Sequence, residues 1–160
     1  ETVCRPQQEA EAAPAAEQRA DFTWAGRTIL VAEDNELNRE IVTEILQQFG
    51  AAVVSAVNGQ EAVQAFLAAP AYSIDAILMD MQMPQMDGCQ AAAEIRRCAR
   101  EDAAGVPIIA VTANVFAEDI ARTTQAGMND HVSKPIDSKQ LKQILERLIT
   151  EWELSRRGLK

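Results

Sequence analysis

Cysteine is scarce in this chain: Cys4, Cys89 and Cys98 are the only three among 160 residues, and no CxxC spacing occurs. An odd count without that spacing gives no disulfide framework and argues for a reducing compartment. Cys89 and Cys98 are nine residues apart in a stretch that reads as helical. At about 100° per residue they fall on opposite faces of the helix and cannot bridge each other, so both read as small packed thiols. Basic residues are also few, and the net charge of −9 leaves no Lys/Arg stripe to neutralise a nucleic-acid backbone or to meet an anionic membrane surface. No apolar stretch approaches the roughly 20 residues a bilayer span needs. No charged start followed by an apolar core marks a signal peptide. No Gly-rich loop opens any helix, which disfavours a domain built to cradle the phosphates of a small-molecule ligand.

What is present is enough for one domain with a real core and too little for two. The apolar fraction of 48% fits a globular chain. Residues 1–26 stand apart: they are rich in Ala, Glu and Gln, contain Pro6 and Pro14, and carry almost no large apolar residue before Phe22 and Trp24. Such a segment buries too little surface to offset its ordering entropy and reads as an interdomain linker, with Phe22 and Trp24 positioned to dock on the adjoining domain. The start at Glu1 rather than Met points to a fragment or processed product.

From Arg27 the pattern alternates between short β-rich runs and helical periodicity. TILVA at 28–32 is a continuous apolar run, as for a strand buried on both faces. Leu37, Ile41, Ile45 and Phe49 then recur every fourth residue until Gly50 ends the helix. A weaker strand at 52–56 precedes a capping-box-like Asn58-Gly59-Gln60-Glu61 and a short helix to Leu67. Further strands are predicted at 76–80, 107–112 and 130–133, with helices at 89–99 and 115–126 between them. Gly127 suits a left-handed helix end. The last helix carries the stripe Leu141, Ile144, Leu145, Leu148, Ile149 and Trp152. Five βα repeats imply a parallel sheet with helices on both faces, over residues 27–152, with 153–160 left as a tail.

Five chemically distinctive residues cap these strands. Glu33 and Asp34 follow the first strand, Asp80 ends the third, Thr112 ends the fourth, and Lys134 follows the fifth. Each taken singly has an ordinary explanation: helix-start acids, a turn aspartate, a β-branched strand residue, a surface lysine. Together they cap one edge of one sheet, where residues far apart in sequence meet. Like charges 4 Å apart repel by about 4 kcal/mol at an effective dielectric near 20, so three clustered carboxylates call for a cation. Oxygen-only ligands suit a hard ion, and Mg²⁺ favours one or two carboxylates with waters and phosphate oxygens. Lys134 can then meet a phosphoryl oxygen as a point charge, and the Thr112 hydroxyl can donate to another. Asp80 is the candidate nucleophile, because the pair at 33 and 34 is better suited to hold metal, and attack on phosphorus would give an aspartyl phosphate.

At these residues the chain resembles the receiver domain of two-component signalling, the response-regulator type of phosphoacceptor. The resemblance rests on VAEDNELNREI at 31–41, NGQEAV at 58–63, LMDMQMPQMDG at 78–88, VTAN at 111–114 and SKPI at 133–136, in the family's order. It implies an α/β, flavodoxin-like (βα)5 fold, doubly wound, with a five-stranded parallel sheet of order 2-1-3-4-5. It implies that Asp80 accepts the phosphoryl group and that Glu33, Asp34, Asp80 and the Gln82 backbone carbonyl hold Mg²⁺ or Mn²⁺. Thr112 takes the place of the switch hydroxyl and Lys134 that of the family's lysine, before a Lys134-Pro135 bond that is commonly cis. Gln82 and Asn114 fall where the family tunes phosphoryl lifetime, and Ala113 leaves access to Asp80 open. His131, the one histidine, stands at the switch position that the family fills with Tyr or Phe. The Met81, Met83 and Met86 group reads as packing.

The EDN-x-x-N-R-E string and the loop after Asp80 resemble receivers fused to hybrid histidine kinases. That implies a histidine kinase or histidine phosphotransfer domain as partner, a cytoplasmic setting, self-catalysed transfer and loss of phosphate, and the first helix and the face of the fourth helix, fifth strand and fifth helix as contact surfaces. Two alternatives are a degenerate receiver that only docks proteins and a metal-dependent phosphatase of the dehalogenase type. The latter class has a second acid two residues after the nucleophile, where this chain has Gln82.

Overall fold

The computed structural model describes residues 24–70, 73–81, 83, 86–98, 101–113, 117–134 and 136–156. Five strands, β1 (Thr28–Ala32), β2 (Ala52–Ala56), β3 (Ala76–Asp80), β4 (Ile108–Thr112) and β5 (Asp130–Ser133), form one sheet of order β2-β1-β3-β4-β5. All four pairings are parallel. Between and after them lie α1 (Glu36–Phe49), α2 (Gly59–Ala68), α3 (Gly88–Arg97), α4 (Ala117–Gln125) and α5 (Ser138–Arg156). This is the doubly wound arrangement that alternating βα periodicity implies.

Residue alternation along the strands divides the core in two. Leu30 and Ala32, Ile77 and Met79, and Ile108 and Ala110 turn to one side, where Phe66 of α2 and Ala91, Ala92 and Ile95 of α3 cover them. Ile29 and Val31, Ala76 and Leu78, and Ile109 and Val111 turn to the other, against Val42 and Leu46 of α1 and Leu141, Leu145 and Ile149 of α5. Strands β1, β3 and β4 are buried nearly throughout, and β2 at the sheet's edge is largely exposed. Met81 and Met83 are buried in the first of these cores with Met86 packed against it, the packing role read from their sequence.

Helix ends follow local chemistry. Asn35 caps α1 by accepting from the Asn38 amide at 2.9 Å, and Gly50 closes it at φ 110°, a conformation open to glycine. Asn58 caps α2 through the Glu61 amide at 2.8 Å, while the Glu61 carboxylate accepts from Val57. Asp87 and Gln90 form a reciprocal capping box on α3. The boundaries of α3 and α4 fall one or two residues from the predicted spans, as these caps dictate for α3.

Three features go beyond the sequence reading. The Leu37–Ile41–Ile45–Phe49 stripe is not the buried line of α1: Leu37 is 65% and Ile41 45% exposed, and Val42 and Leu46 point inward. A strict four-residue repeat drifts around a helix of 3.6 residues per turn, so its first members leave the core. Trp24, upstream of the expected boundary at 27, packs on the domain, the docking role read from its sequence. Trp24 is buried against Phe49, with ring centroids 5.2 Å apart, and its indole donates to Glu146 of α5 at 2.9 Å. Finally, α5 runs past 152 to Arg156, where Glu153 pairs with Arg27, which also faces Asp75 at 3.5 Å. Phe22, Cys4 and the rest of the predicted linker up to 23 lie outside the described residues; Cys89 and Cys98 are half-buried thiols that form no disulfide with each other.

Truncating Trp24 removes a large buried ring and a hydrogen bond to α5 together. Trp24→Ala is expected to cost about 3 kcal/mol, read as a lower urea midpoint with an unchanged m-value; an unaltered midpoint would place Trp24 outside the cooperative fold.

Candidate functional site

The register of the sheet builds the site. Ala32 pairs with Met79, so Glu33 and Asp80 leave their strands at one level. Asp80 pairs with Val111 and Thr112 with Ser133, which brings Thr112 and Lys134 to the same edge. The Lys134 amide donates to the Thr112 carbonyl at 2.8 Å and extends that pairing one residue past the strand. Lys134 then reaches back across the edge, its Nζ 3.3 Å from Asp80 Oδ2 and 3.5 Å from Glu33 Oε1.

Glu33, Asp34 and Asp80 each offer a carboxylate oxygen, all within 4.8 Å of one another. Glu33 and Asp80 are only 4% and 3% exposed, while Asp34 lies open to solvent. Burial raises the Glu33 carboxyl from 4.5 to about 7, helped by a side-chain hydrogen bond with Asp80 and by that residue's charge; the Asn35 amide and Lys134 oppose the rise. A buried carboxylate driven to hold a proton is short of positive charge. One lysine between two buried acids, with a third acid alongside, leaves a negative excess that a hard cation on oxygen ligands would neutralise. The donor set therefore fits Mg²⁺, with Glu33, Asp34 and Asp80 as the protein's side-chain ligands.

Two further residues shape the pocket. Gly88, first in α3, lies so close to β3 that a Cβ there would sit 2.3 Å from the Asp80 backbone oxygen. The absent side chain is what lets α3 seat the Asp80 backbone. Arg39, in the first turns of α1, donates from Nη1 to the Glu33 carbonyl at 2.8 Å. Both lie within segments singled out in the sequence, MDG and NREI, yet neither was assigned a role, because packing distance and side-chain reach leave no mark in spacing.

The structure thus brings together Glu33, Asp34, Asp80 and Lys134, with buried Thr112 on the adjoining strand end and exposed Ala113 next to it. His131 sits elsewhere, half-buried beside Asp130 and lining a 510 Å³ groove between β5 and α5 with Gln140, Gln143, Ile144 and Arg147. Gln82, Asn114 and Pro135 lie outside the described residues. A smaller hollow of 120 Å³ opens beside the carboxylates, where Glu33, Asn38 and Lys134 meet Ile41, Val42 and Ile136.

A parallel α/β sheet with a cluster of acids and one lysine at the C-terminal ends of its strands defines a class of protein whose site is assembled at a strand edge. The model of the response regulator receiver domain matches residues 29–146, and the chain belongs to that family. It is like the receiver domains of hybrid sensor histidine kinases. It is 40% identical over 138 residues to hybrid signal transduction histidine kinase L of Dictyostelium discoideum, covering 84% of this chain and 8% of that protein. To the sensor protein GacS of Pseudomonas syringae pv. syringae it is 38% identical over 118 residues, covering 73% and 13%. The chain thus spans a small part of the relatives it matches.

Among solved structures, the receiver domain of sensor histidine kinase PA1611 from Pseudomonas aeruginosa PAO1, which has a magnesium ion coordinated in its active site cleft, is 40% identical. The TM-score is 0.71, with 79% of this chain and 99% of that one covered. The receiver domain of Ssk1 from Saccharomyces cerevisiae, crystallised with the histidine phosphotransfer protein Ypd1, is 29% identical at a TM-score of 0.68, covering 82% and 91%. Among the described residues, no helix is long and apolar enough to cross a membrane.

The raised Glu33 carboxyl has a consequence for the metal-free protein. The folded state holds a proton on Glu33 more tightly than the unfolded chain does, so this group's contribution is full below pH 4.5 and is lost as pH rises towards 7. Metal-free melting temperatures are expected to fall across that window more steeply in the unsubstituted protein than in Glu33→Gln; parallel curves for the two would contradict the assignment.

Proposed function

We propose that this domain is a phosphoacceptor: it takes a phosphoryl group from a phosphohistidine onto Asp80 in a Mg²⁺-dependent reaction and serves as a relay intermediate or switch. The observation that carries this reading is the convergence of Lys134 on both Asp80 and Glu33 at the edge shared with Asp34. An Asp80 carboxylate oxygen bonds to phosphorus as the phosphorus–nitrogen bond of the donor breaks, and the imidazole nitrogen leaves with that electron pair. Glu33 and Asp34 hold the ion, with Asp80 and the Gln82 carbonyl completing the set. Bound there, Mg²⁺ or Mn²⁺ neutralises charge on the phosphoryl oxygens. Lys134 exchanges part of its pairing with Asp80 for a phosphoryl oxygen.

The product carries roughly two negative charges in place of one. The Thr112 hydroxyl, on the adjoining strand end, is the group that senses it, and His131 on β5 is the second switch residue, facing the α5 groove. Gln82 and Asn114 set the lifetime of the acyl phosphate by orienting water. The phosphodonor is the histidine of a kinase or a phosphotransfer domain, as the Ypd1–Ssk1 pairing in a related receiver supports. Exposed Ile41 on α1, which lines the hollow beside Glu33 and Lys134, offers it an apolar footing, with exposed Leu37 on the same helix. The likeness to hybrid kinases supports a place within such a protein, on the cytoplasmic side.

Incubation with Mg²⁺ and a small acyl phosphate is expected to add one phosphoryl group by mass spectrometry in the unsubstituted protein and none in Asp80→Asn. Absence of the adduct, or an equal adduct in the variant, would sink the reading and leave a docking module.

A further inference from the structure

We infer that Arg39 is a positioning residue for the acidic pair: from α1 it fixes the Glu33–Asp34 peptide and so aims the Asp34 carboxylate at the ion. The inference rests on the metal-binding reading above. Glu33 itself is held on several sides. Its amide donates to the Ala56 carbonyl at 3.0 Å, its carboxylate accepts from the Asn35 amide at 3.2 Å, and Lys134 faces the same carboxylate. Asp34 has no such support. Its side chain is exposed, and among the described residues no hydrogen bond or ion pair holds it.

The group that controls Asp34 is therefore the backbone on its N-terminal side. The Glu33 carbonyl and the Asp34 amide belong to one planar peptide unit, so holding the carbonyl restrains that plane and with it the Cα from which Asp34 projects. Arg39 Nη1 holds that carbonyl at 2.8 Å. Arg39 is seated in turn by its own amide, which donates to the Asn35 carbonyl at 2.9 Å, and its side chain is half-buried. The clamp thus links the first helix to the loop that carries two of the three carboxylates.

Charge and position make opposite demands at this residue, which separates them. A guanidinium seated on the loop that carries Glu33 and Asp34 opposes a divalent cation, so its removal by charge alone would tighten metal binding. Loss of the clamp frees the peptide and weakens it. Outer partners that orient metal ligands commonly carry about 10- to 100-fold in affinity.

The test is Mn²⁺ binding to the full chain, followed by the electron paramagnetic resonance signal of the free ion. Arg39→Met is expected to weaken binding about tenfold, and Arg39→Lys, which can still donate to the Glu33 carbonyl, is expected to restore most of the loss. Arg39→Gln stays polar where Arg39 is half-buried but is too short to span the gap, and is expected to match the Met variant with metal-free melting unchanged. In ¹⁵N relaxation of the metal-free proteins, the Asp34 amide gains fast motion in Met and Gln but not in Lys. Binding by the Met and Gln variants equal to or tighter than that of the unsubstituted protein would overturn the role of Arg39 while leaving the metal site standing. No saturable Mn²⁺ binding by the unsubstituted protein would overturn both.

Discussion

The mutual repulsion of three carboxylates at one edge of the sheet is the constraint on which the rest of this structure depends. Glu33 and Asp80 are buried, Asp34 is adjacent, and Lys134 faces both buried acids. A cluster of this kind opposes its own folding unless rigid elements impose it. Here they are three parallel strands locked in register, buried on both faces, with α1 and α3 pressed against the loops that carry the acids. On the reading proposed above, a cation or a transferred phosphoryl group would change the balance of charge where the protein has least freedom to relax.

The two cores divide the work of holding this edge. The side facing α2 and α3 is closed by Phe66 and Ile95 with small alanines between, so α3 can come close enough for Gly88 to lie on the Asp80 backbone. The side facing α1 and α5 is larger-grained, and Trp24 ties both helices together at the far end of the sheet through Phe49 and Glu146. The acids at one end and the Trp24 and Arg27 contacts at the other are joined by strands of only four or five residues. A change at the carboxylates is therefore never far from the helices that a partner would touch.

How the sequence related to the structure differs between elements for identifiable reasons. TILVA, AILMD and IIAVT were legible as strands because strands buried on both faces are apolar without interruption. The helices were legible through Asn58, Gly50 and Gly127, whose side-chain or backbone chemistry is local. The buried side of α1 was not legible, since Leu37 and Ile41 are as apolar as core residues and periodicity alone does not tell an exposed apolar face from a core stripe. The boundary at 27 was set by composition, and the docking of Trp24 was legible because a large ring in a polar stretch gains most from burial.

By itself the sequence determined the element order, the strand ends and the kind of chemistry available there: three carboxylates, a hydroxyl and a lysine, each following a β-rich run. Those are properties of local pattern and residue type, which a chain carries in any conformation. Only the tertiary structure decided which of them meet. Parallel register put Glu33 level with Asp80, the reach of Lys134 joined them, burial raised the Glu33 carboxyl to about 7, and α1 brought Arg39 onto the Glu33 carbonyl. Each of these depends on distances between residues far apart in the chain or on exclusion of water, and neither quantity exists until the sheet and its helices have closed around the site.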